Sequence, residues 1–117
     1  MLPAKNRMKR SAEFGATVKH GVRAVQPDLV VHALREPDHP DGPRIGLIVS
    51  KAVGTSVDRH RVSRRLRHAA RGVVTELAAA ERVVIRALPS SRDAAGERLR
   101  EEVAAGVRRA RDLMGER

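Results

Sequence analysis

The order of residues predicts an α+β fold, a two-layer sandwich in which helices cover a sheet of about four strands. Three observations lead there. Apolar residues recur at helical spacing in the middle and at the end of the chain, and short β-rich runs lie between these stretches. A cluster of proline, glycine and acid separates the runs. The 117 residues suffice for one compact domain with a single core, so residues 1–117 are expected to form one domain.

Residues 1–10 make a basic arm with Lys5, Arg7, Lys9 and Arg10, and Pro3 near its start. Ser11 is placed to cap a short helix over 11–19, which Gly21 ends. Phe14 and Val18 lie four apart and share one face of it, as an ordinary core stripe would. Residues 22–34 favour extended structure, with Pro27-Asp28 interrupting before the run Leu29-Val30-Val31-His32-Ala33-Leu34. Residues 36–43 hold three prolines, a glycine and three acids and form a surface loop. Beyond it Ile45, Leu47 and Val49 alternate with Gly46, Ile48 and Ser50 in a strand that ends at Lys51. The simplest pairing joins this strand to the preceding one, antiparallel across the loop.

Gly54-Thr55 turns the chain, and Thr55-x-x-Asp58 has the spacing of a capping box. The helix it opens is expected to run to about residue 80, with Val62, Leu66, Ala69, Val73 and Leu77 in an apolar arc of roughly 80°. Arg61, Arg64, Arg65, Arg67, His68 and Arg71 fall opposite. Arg59 lands near the apolar edge and Val57 on the basic side, so the first turn departs from the simple wheel. Residues 82–87 make a short strand closed by Leu88-Pro89. A last helix starts near Ser91 or Asp93 with Leu99, Val103, Val107, Ala110 and Met114 on one face. Its polar face mixes Arg and Glu in the manner of a solvated surface.

Composition narrows the function. Lys and Arg number 24 against 14 Asp and Glu, a formal charge of +10 that points to a polyanionic partner. Residues 1–43, 44–71 and 72–117 contribute +2, +7 and +1, so the positive charge gathers in the middle segment. The absence of cysteine excludes thiolate zinc sites, iron–sulfur clusters, disulfides and Cys nucleophiles. No apolar run approaches the roughly 20 residues of a membrane span, no signal-peptide core opens the chain, and a soluble cytoplasmic protein is expected. Phe14 is the only aromatic residue, which leaves out readers that stack successive bases on aromatic platforms. Recognition is then expected to be electrostatic and shape-based, through arginine forks that suit phosphate.

In Arg59-His60-Arg61-Val62-Ser63-Arg64-Arg65-Leu66-Arg67 the arginines occupy several turns of a helix whose other face is committed to the core. No acid follows Asp58 until Glu76, unlike the mixed signs of a solvated surface. Asp58 is the lone acid of the basic segment and is better used as a cap than in catalysis. The histidines, at 20, 32, 39, 60 and 68, show no i, i+4 spacing for a helical metal site. Ser50, Ser56 and Ser63 lack an indicated His–acid arrangement. The protein itself is therefore expected to hold neither a catalytic residue nor a metal site.

The chain resembles the protein subunit of bacterial ribonuclease P in Arg44-Ile45-Gly46-Leu47-Ile48-Val49-Ser50-Lys51, then Val53-Gly54, then the arginine segment beginning Arg59-His60-Arg61. Leu2-Pro3, the bases up to Arg10, the Glu13-Phe14 pair and Gly21 also look like that family's N-terminal part. Against the family pattern, His60 stands for Asn, Ser63 for Lys, Ala52 for a second Lys and Thr55 for Asn, while Val18 and His32 replace frequent aromatics. The resemblance implies an α-β-β-β-α-β-α order with a left-handed parallel crossover through the basic helix, against the roughly 98% right-handed norm. It implies that Lys51, Arg59, His60, Arg61, Arg64, Arg65, Arg67 and Arg71 bind the catalytic RNA. Phe14, Val18 and His32 would line a cleft for the 5′ leader of precursor tRNA. Magnesium, bound mainly by the RNA, would serve the hydrolysis, and no protein partner or membrane is indicated. Two rivals share the basic helix: a ribosomal-type RNA-binding protein, and a helix-turn-helix DNA regulator, which would need a helix where 44–51 reads as a strand.

Overall fold

The structure, a computed structural model, describes residues 2–115. In chain order it contains α1 (Ser11–His20), β1 (Val22–Val25), β2 (Leu29–Arg35), β3 (Arg44–Ile48), α2 (Ser56–Val73), β4 (Glu81–Ala87) and α3 (Gly96–Gly115). This is the expected α-β-β-β-α-β-α order. Short 3-10 turns occupy Ala4–Asn6, Lys51–Val53, Val74–Glu76 and Pro89–Asp93.

The four strands form one sheet in the order β1-β2-β4-β3, antiparallel except for the parallel β3–β4 pair. Contrary to the antiparallel pairing expected across the loop, β2 and β3 are not neighbours; β4 lies between them. Val83, Val84 and Ile85 are buried without alternation, the pattern of a strand covered on both faces, and such a strand belongs inside the sheet. The 36–43 loop passes over the start of β4, where Glu36 N–H donates to Ala80 O at 2.8 Å and Gly42 N–H to Ala79 O at 3.1 Å. A parallel pair needs a long crossover, and α2 supplies it.

Leu29, Val31, Ala33, Ile45, Val83, Ile85 and Ala87 meet the apolar stripes of α2 and α3 in one core. The predicted stripes Val62, Leu66, Ala69, Val73, Leu77 and Leu99, Val103, Val107, Ala110, Met114 are all buried there. Each buried Val, Leu, Ile or Met among them contributes about 1.5–3 kcal/mol. α3 comes so close to β2 that a Cβ on Gly106 would lie 2.5 Å from Val31 Cγ2. The opposite face of the sheet is partly covered by α1, whose Phe14 ring rests over Gly46. The N-terminal arm is ordered along β3: Met8 N–H donates to Ile45 O at 2.9 Å, Asn6 Nδ2 donates to Pro43 O at 2.9 Å, and Leu2 and Met8 are buried.

Several boundaries differ from expectation for physical reasons. Ser11 is the first helical residue rather than the cap, and Arg10 at the cap position makes no side-chain capping bond. Gly21 ends α1 with an extended φ of −81°, so it is not there for a left-handed turn; a Cβ would overlap the carbonyl oxygens of Ala33 and Thr17. α2 stops at Val73 instead of continuing to about residue 80, because Gly72 and the β-branched run Val73-Val74-Thr75 favour helix poorly. β3 ends at Ile48, leaving Lys51 in a 3-10 turn, and Ser91 and Asp93 likewise sit in a 3-10 turn ahead of α3.

Candidate RNA-binding surfaces

At the start of α2, Thr55 N–H donates to Asp58 Oδ2 at 3.0 Å and Asp58 N–H donates to Thr55 Oγ1 at 3.2 Å, a reciprocal capping box. Those bonds from Thr55 hold the Asp58 carboxyl below the usual carboxylate range, with Arg61 adding to the effect. Gly54 makes this possible: its φ is +151°, and a Cβ would stand 2.5 Å from Asp58 Oδ2. The one acid of the basic segment is thus consumed by the cap.

Because Val62, Leu66, Ala69, Ala70 and Val73 are buried, α2 cannot turn its charged side inward. Lys51, His60, Arg61, Arg64, His68 and Arg71 are exposed, and Arg59, Arg65 and Arg67 are half-buried. The irregular first turn is as the wheel indicates: Val57 is 69% exposed, and Arg59 Nε is buried without a hydrogen-bond partner. Arg65 is not wholly free for a ligand, since its Nη1 donates to Ala94 O at 2.9 Å and ties α2 to the chain entering α3. The segment before α2 is β3 and a 3-10 turn, which removes the helix-turn-helix alternative.

The second predicted set lies on the other face of the sheet. Strand register aligns Arg23, His32, Val84 and Gly46 in one row across β1, β2, β4 and β3. Phe14 is half-buried over Gly46, and Val18, one turn along α1, is 38% exposed. His32 is 4% exposed with neither ring nitrogen hydrogen-bonded. Burial, reinforced by Arg86 and Arg23, pushes its pKa below the ordinary 6.5, so the imidazole is neutral at pH 7 and keeps one donor and one acceptor unspent. Phe14, Val18 and His32 thus share one side of the sheet, and the arginines of α2 lie on the other.

Sequence reasoning passed over Arg82, which is 3% exposed in the middle of this architecture. Its guanidinium donates to His39 O at 2.7 Å, Gly42 O at 2.9 Å and Asp41 Oδ1 at 2.6 Å, and its Nε lies 3.3 Å from Glu13 Oε2. Arg44 joins the cluster through Glu13 at 3.1 Å and through Asp41. One buried cation therefore fastens α1 and the 36–43 loop to β4. The available signal was an arginine within an apolar strand, with acids at 13 and 41 left unassigned. Also unforeseen is buried Glu81, which accepts from Ala78 N–H at 2.7 Å and pairs with Arg111 at 3.2 Å. Among the described residues no group of three or more His, Asp or Glu could hold a metal ion, and no helix is long and apolar enough to cross a membrane.

The family model for ribonuclease P matches residues 2–111. The ribonuclease P protein component of Mycolicibacterium vanbaalenii is 60% identical over 116 residues, covering 98% of each chain. That of Mycobacterium avium is 59% identical over 112 residues, covering 93% of this chain and 94% of its own. The Staphylococcus aureus RNase P protein superposes with a TM-score of 0.79 at 22% identity, over 90% of this chain and 94% of that one. The Thermotoga maritima protein gives 0.71 at 17% identity, over 85% and 92%. At such identities the two structures speak for the fold alone. The relatives do not favour the ribosomal-type alternative. Matched along nearly its whole length, the chain belongs to the ribonuclease P protein family, as the protein component of a ribonucleoprotein endoribonuclease of tRNA 5′ processing.

Proposed function

We propose that the exposed face of α2 holds the catalytic RNA while the α1 side of the sheet receives the 5′ leader of precursor tRNA. The observation that carries this reading is the separation of two unlike surfaces by one sheet. Lys51, Arg59, His60, Arg61, Arg64, Arg65, Arg67 and Arg71 supply phosphate contacts on a helix fixed by its core face. Phe14, Val18 and His32 offer apolar area and an unspent imidazole to an unpaired strand. No side chain on this reading acts as acid, base or nucleophile. Magnesium is held mainly by the RNA, the protein works in the cytoplasm, and residues 1–117 act as one RNA-binding domain for which no protein partner is indicated.

The test is a pair of titrations of the reconstituted ribonucleoprotein with precursor and mature tRNA, beside RNA binding by the protein alone. Arg61→Ala with Arg64→Ala should weaken RNA binding and lower the log–log salt slope by about 1.5, from two lost phosphate contacts. Phe14→Ala should leave RNA binding intact and weaken precursor tRNA about tenfold, within the range of one lost base stack, with mature tRNA unaffected. Equal weakening toward both tRNAs would return Phe14 to a purely structural role. An unchanged salt slope in the double variant would place the RNA elsewhere.

A further inference from the structure

A groove of about 420 Å³ runs between α2 and the first turns of α3. Its α2 wall is Arg61, Arg64, Arg65, Arg67 and His68, its α3 wall is Gly96 and Arg100, and no acid lines it. Elsewhere on α3, Arg98 pairs with Asp28 at 2.8 Å and Glu102 at 3.2 Å, and Arg111 with Glu81. Arg100 makes no ion pair or hydrogen bond among the described residues, and its i±4 neighbours, Gly96 and Ala104, offer it none. Five arginines therefore line one space, and apart from the 3.4 Å pair of Arg61 with Asp58 none of them has an ion pair among the described residues, an arrangement that favours an anionic guest over solvent alone.

The walls are fixed. The Arg65 bond to Ala94 O sets the distance between α2 and the entry to α3. A Cβ on Gly96 would lie 3.9 Å from both Arg100 Nη1 and Arg65 Cγ, so the cationic walls converge over a residue that has no side chain. Gly96 has no positive φ, so its backbone does not require glycine. What glycine provides here is room. No Phe, Tyr or Trp lines the groove and five of its seven lining residues are arginines, which suits it to a phosphate backbone more than to bases.

We propose that the RNA backbone enters the groove between α2 and α3, instead of crossing α2 alone, and that Arg100 of α3 is a phosphate ligand. This rests on the assignment of α2 to the catalytic RNA. Affinity for that RNA and its salt dependence are measured for four proteins beside the parent. Arg100→Ala should weaken binding about tenfold at 0.15 M salt and lower the salt slope by about 0.7–0.9, one phosphate contact. Gly96→Leu, which fills the groove at unchanged charge, should weaken binding about fivefold or more with a melting temperature near the parent's. Arg108→Ala, an exposed arginine of α3 outside the groove, should change affinity less than twofold. Arg61→Ala with Arg64→Ala reports on the α2 assignment itself. If that double variant weakens binding while Arg100→Ala behaves like Arg108→Ala, the groove is wrong and the α2 assignment stands. Weakening by Arg100→Ala with folded Gly96→Leu unaffected would put the RNA over the α3 surface and also overturn the groove. A double variant without effect would remove the α2 assignment and the groove with it.

Discussion

Arg82→Ala asks how firmly α1 is held to the sheet by one buried cation. The guanidinium satisfies the carbonyls of His39, Gly42, Ala79 and Glu81 and the carboxylates of Asp41 and Glu13. Its removal strands these partners unequally. Glu13 and Asp41 both keep Arg44, and at 19% and 51% exposure both can recover water, so the cost falls below the upper end of the about 3–5 kcal/mol for breaking a fully buried pair. Four carbonyls lose charge-assisted bonds worth about 1.5–3 kcal/mol each, most of which water recovers at the loop. The net loss is about 3 kcal/mol. For 117 residues, with an unfolding entropy of about 2.1 cal/mol/K per residue, each kcal/mol moves the melting temperature by about 4 °C. Thermal melts should therefore show a fall of about 12 °C, and Arg82→Lys, which keeps the charge but loses the fork, should fall between. Below the melt, RNA affinity through α2 should hold while the preference for precursor over mature tRNA declines, because only α1 and the loop are released. A fall under about 4 °C would refute the anchoring argument. Parallel loss of RNA affinity would refute the independence of the two faces.

Two further perturbations probe the ends of the argument. Gly54→Ala meets both a φ of +151° and the Asp58 carboxylate, so it should cost about 1–2 kcal/mol by denaturant melt and weaken RNA binding as the first turn of α2 loosens; an unchanged midpoint would remove the capping box from the stability of α2. At the far end of the sheet, Asp28 N–H donates to Glu102 Oε1 at 2.7 Å, and burial beside Asp28 raises the Glu102 pKa above its ordinary 4.5 while the Asp28 pKa falls below 3.8. The Asp28 contribution is present above its unfolded value and lost as pH falls through its lowered folded one. The Glu102 contribution is present below 4.5 and lost as pH rises through its raised folded value. Glu102→Gln should then melt higher than the parent at pH 7.5, with the gap closing toward pH 4.5; a gap independent of pH would show that the carboxyl does not titrate with folding.

The sequence carries local periodicity well, and it placed Val62, Leu66, Ala69 and Val73 of α2 and Leu99, Val103, Val107, Ala110 and Met114 of α3 on their buried faces, while Ala70, Glu102 and Gly106 went unread and Leu77 lies beyond the end of α2. Pairing is another matter. Alternation reports which side of a strand is covered, but the neighbour is fixed by contacts far along the chain, so β2 and β3 looked like a hairpin until β4 took the place between them. The unbroken run Val83-Val84-Ile85 held that information. Glycine was legible as a stop at Gly21 but not in its cause, which is the close carbonyl of Ala33 on another element. For the candidate sites, the arginines of α2 could be counted and placed on a face. That Arg65 spends a donor on Ala94, and that Arg82 joins residues 13, 39, 41 and 42, depends on how separate segments meet.

The distribution of charge and apolar area has a mechanical consequence on the proposed assignment. α2 is bound to the core by five buried residues, so its arginines keep their spacing whether or not RNA is present, and binding there loses little conformational freedom beyond side chains. Its strength is nevertheless tied to counterion release and falls steeply with salt. The opposite face offers a half-buried ring, an exposed valine and a neutral imidazole, whose contribution depends on desolvation and hydrogen bonding more than on ionic strength. A single sheet thus carries two contacts with different sensitivities. Raising salt loosens the α2 contact first and leaves the apolar part of the leader contact, so loss of activity at high ionic strength is loss of the assembly before it is loss of precursor recognition.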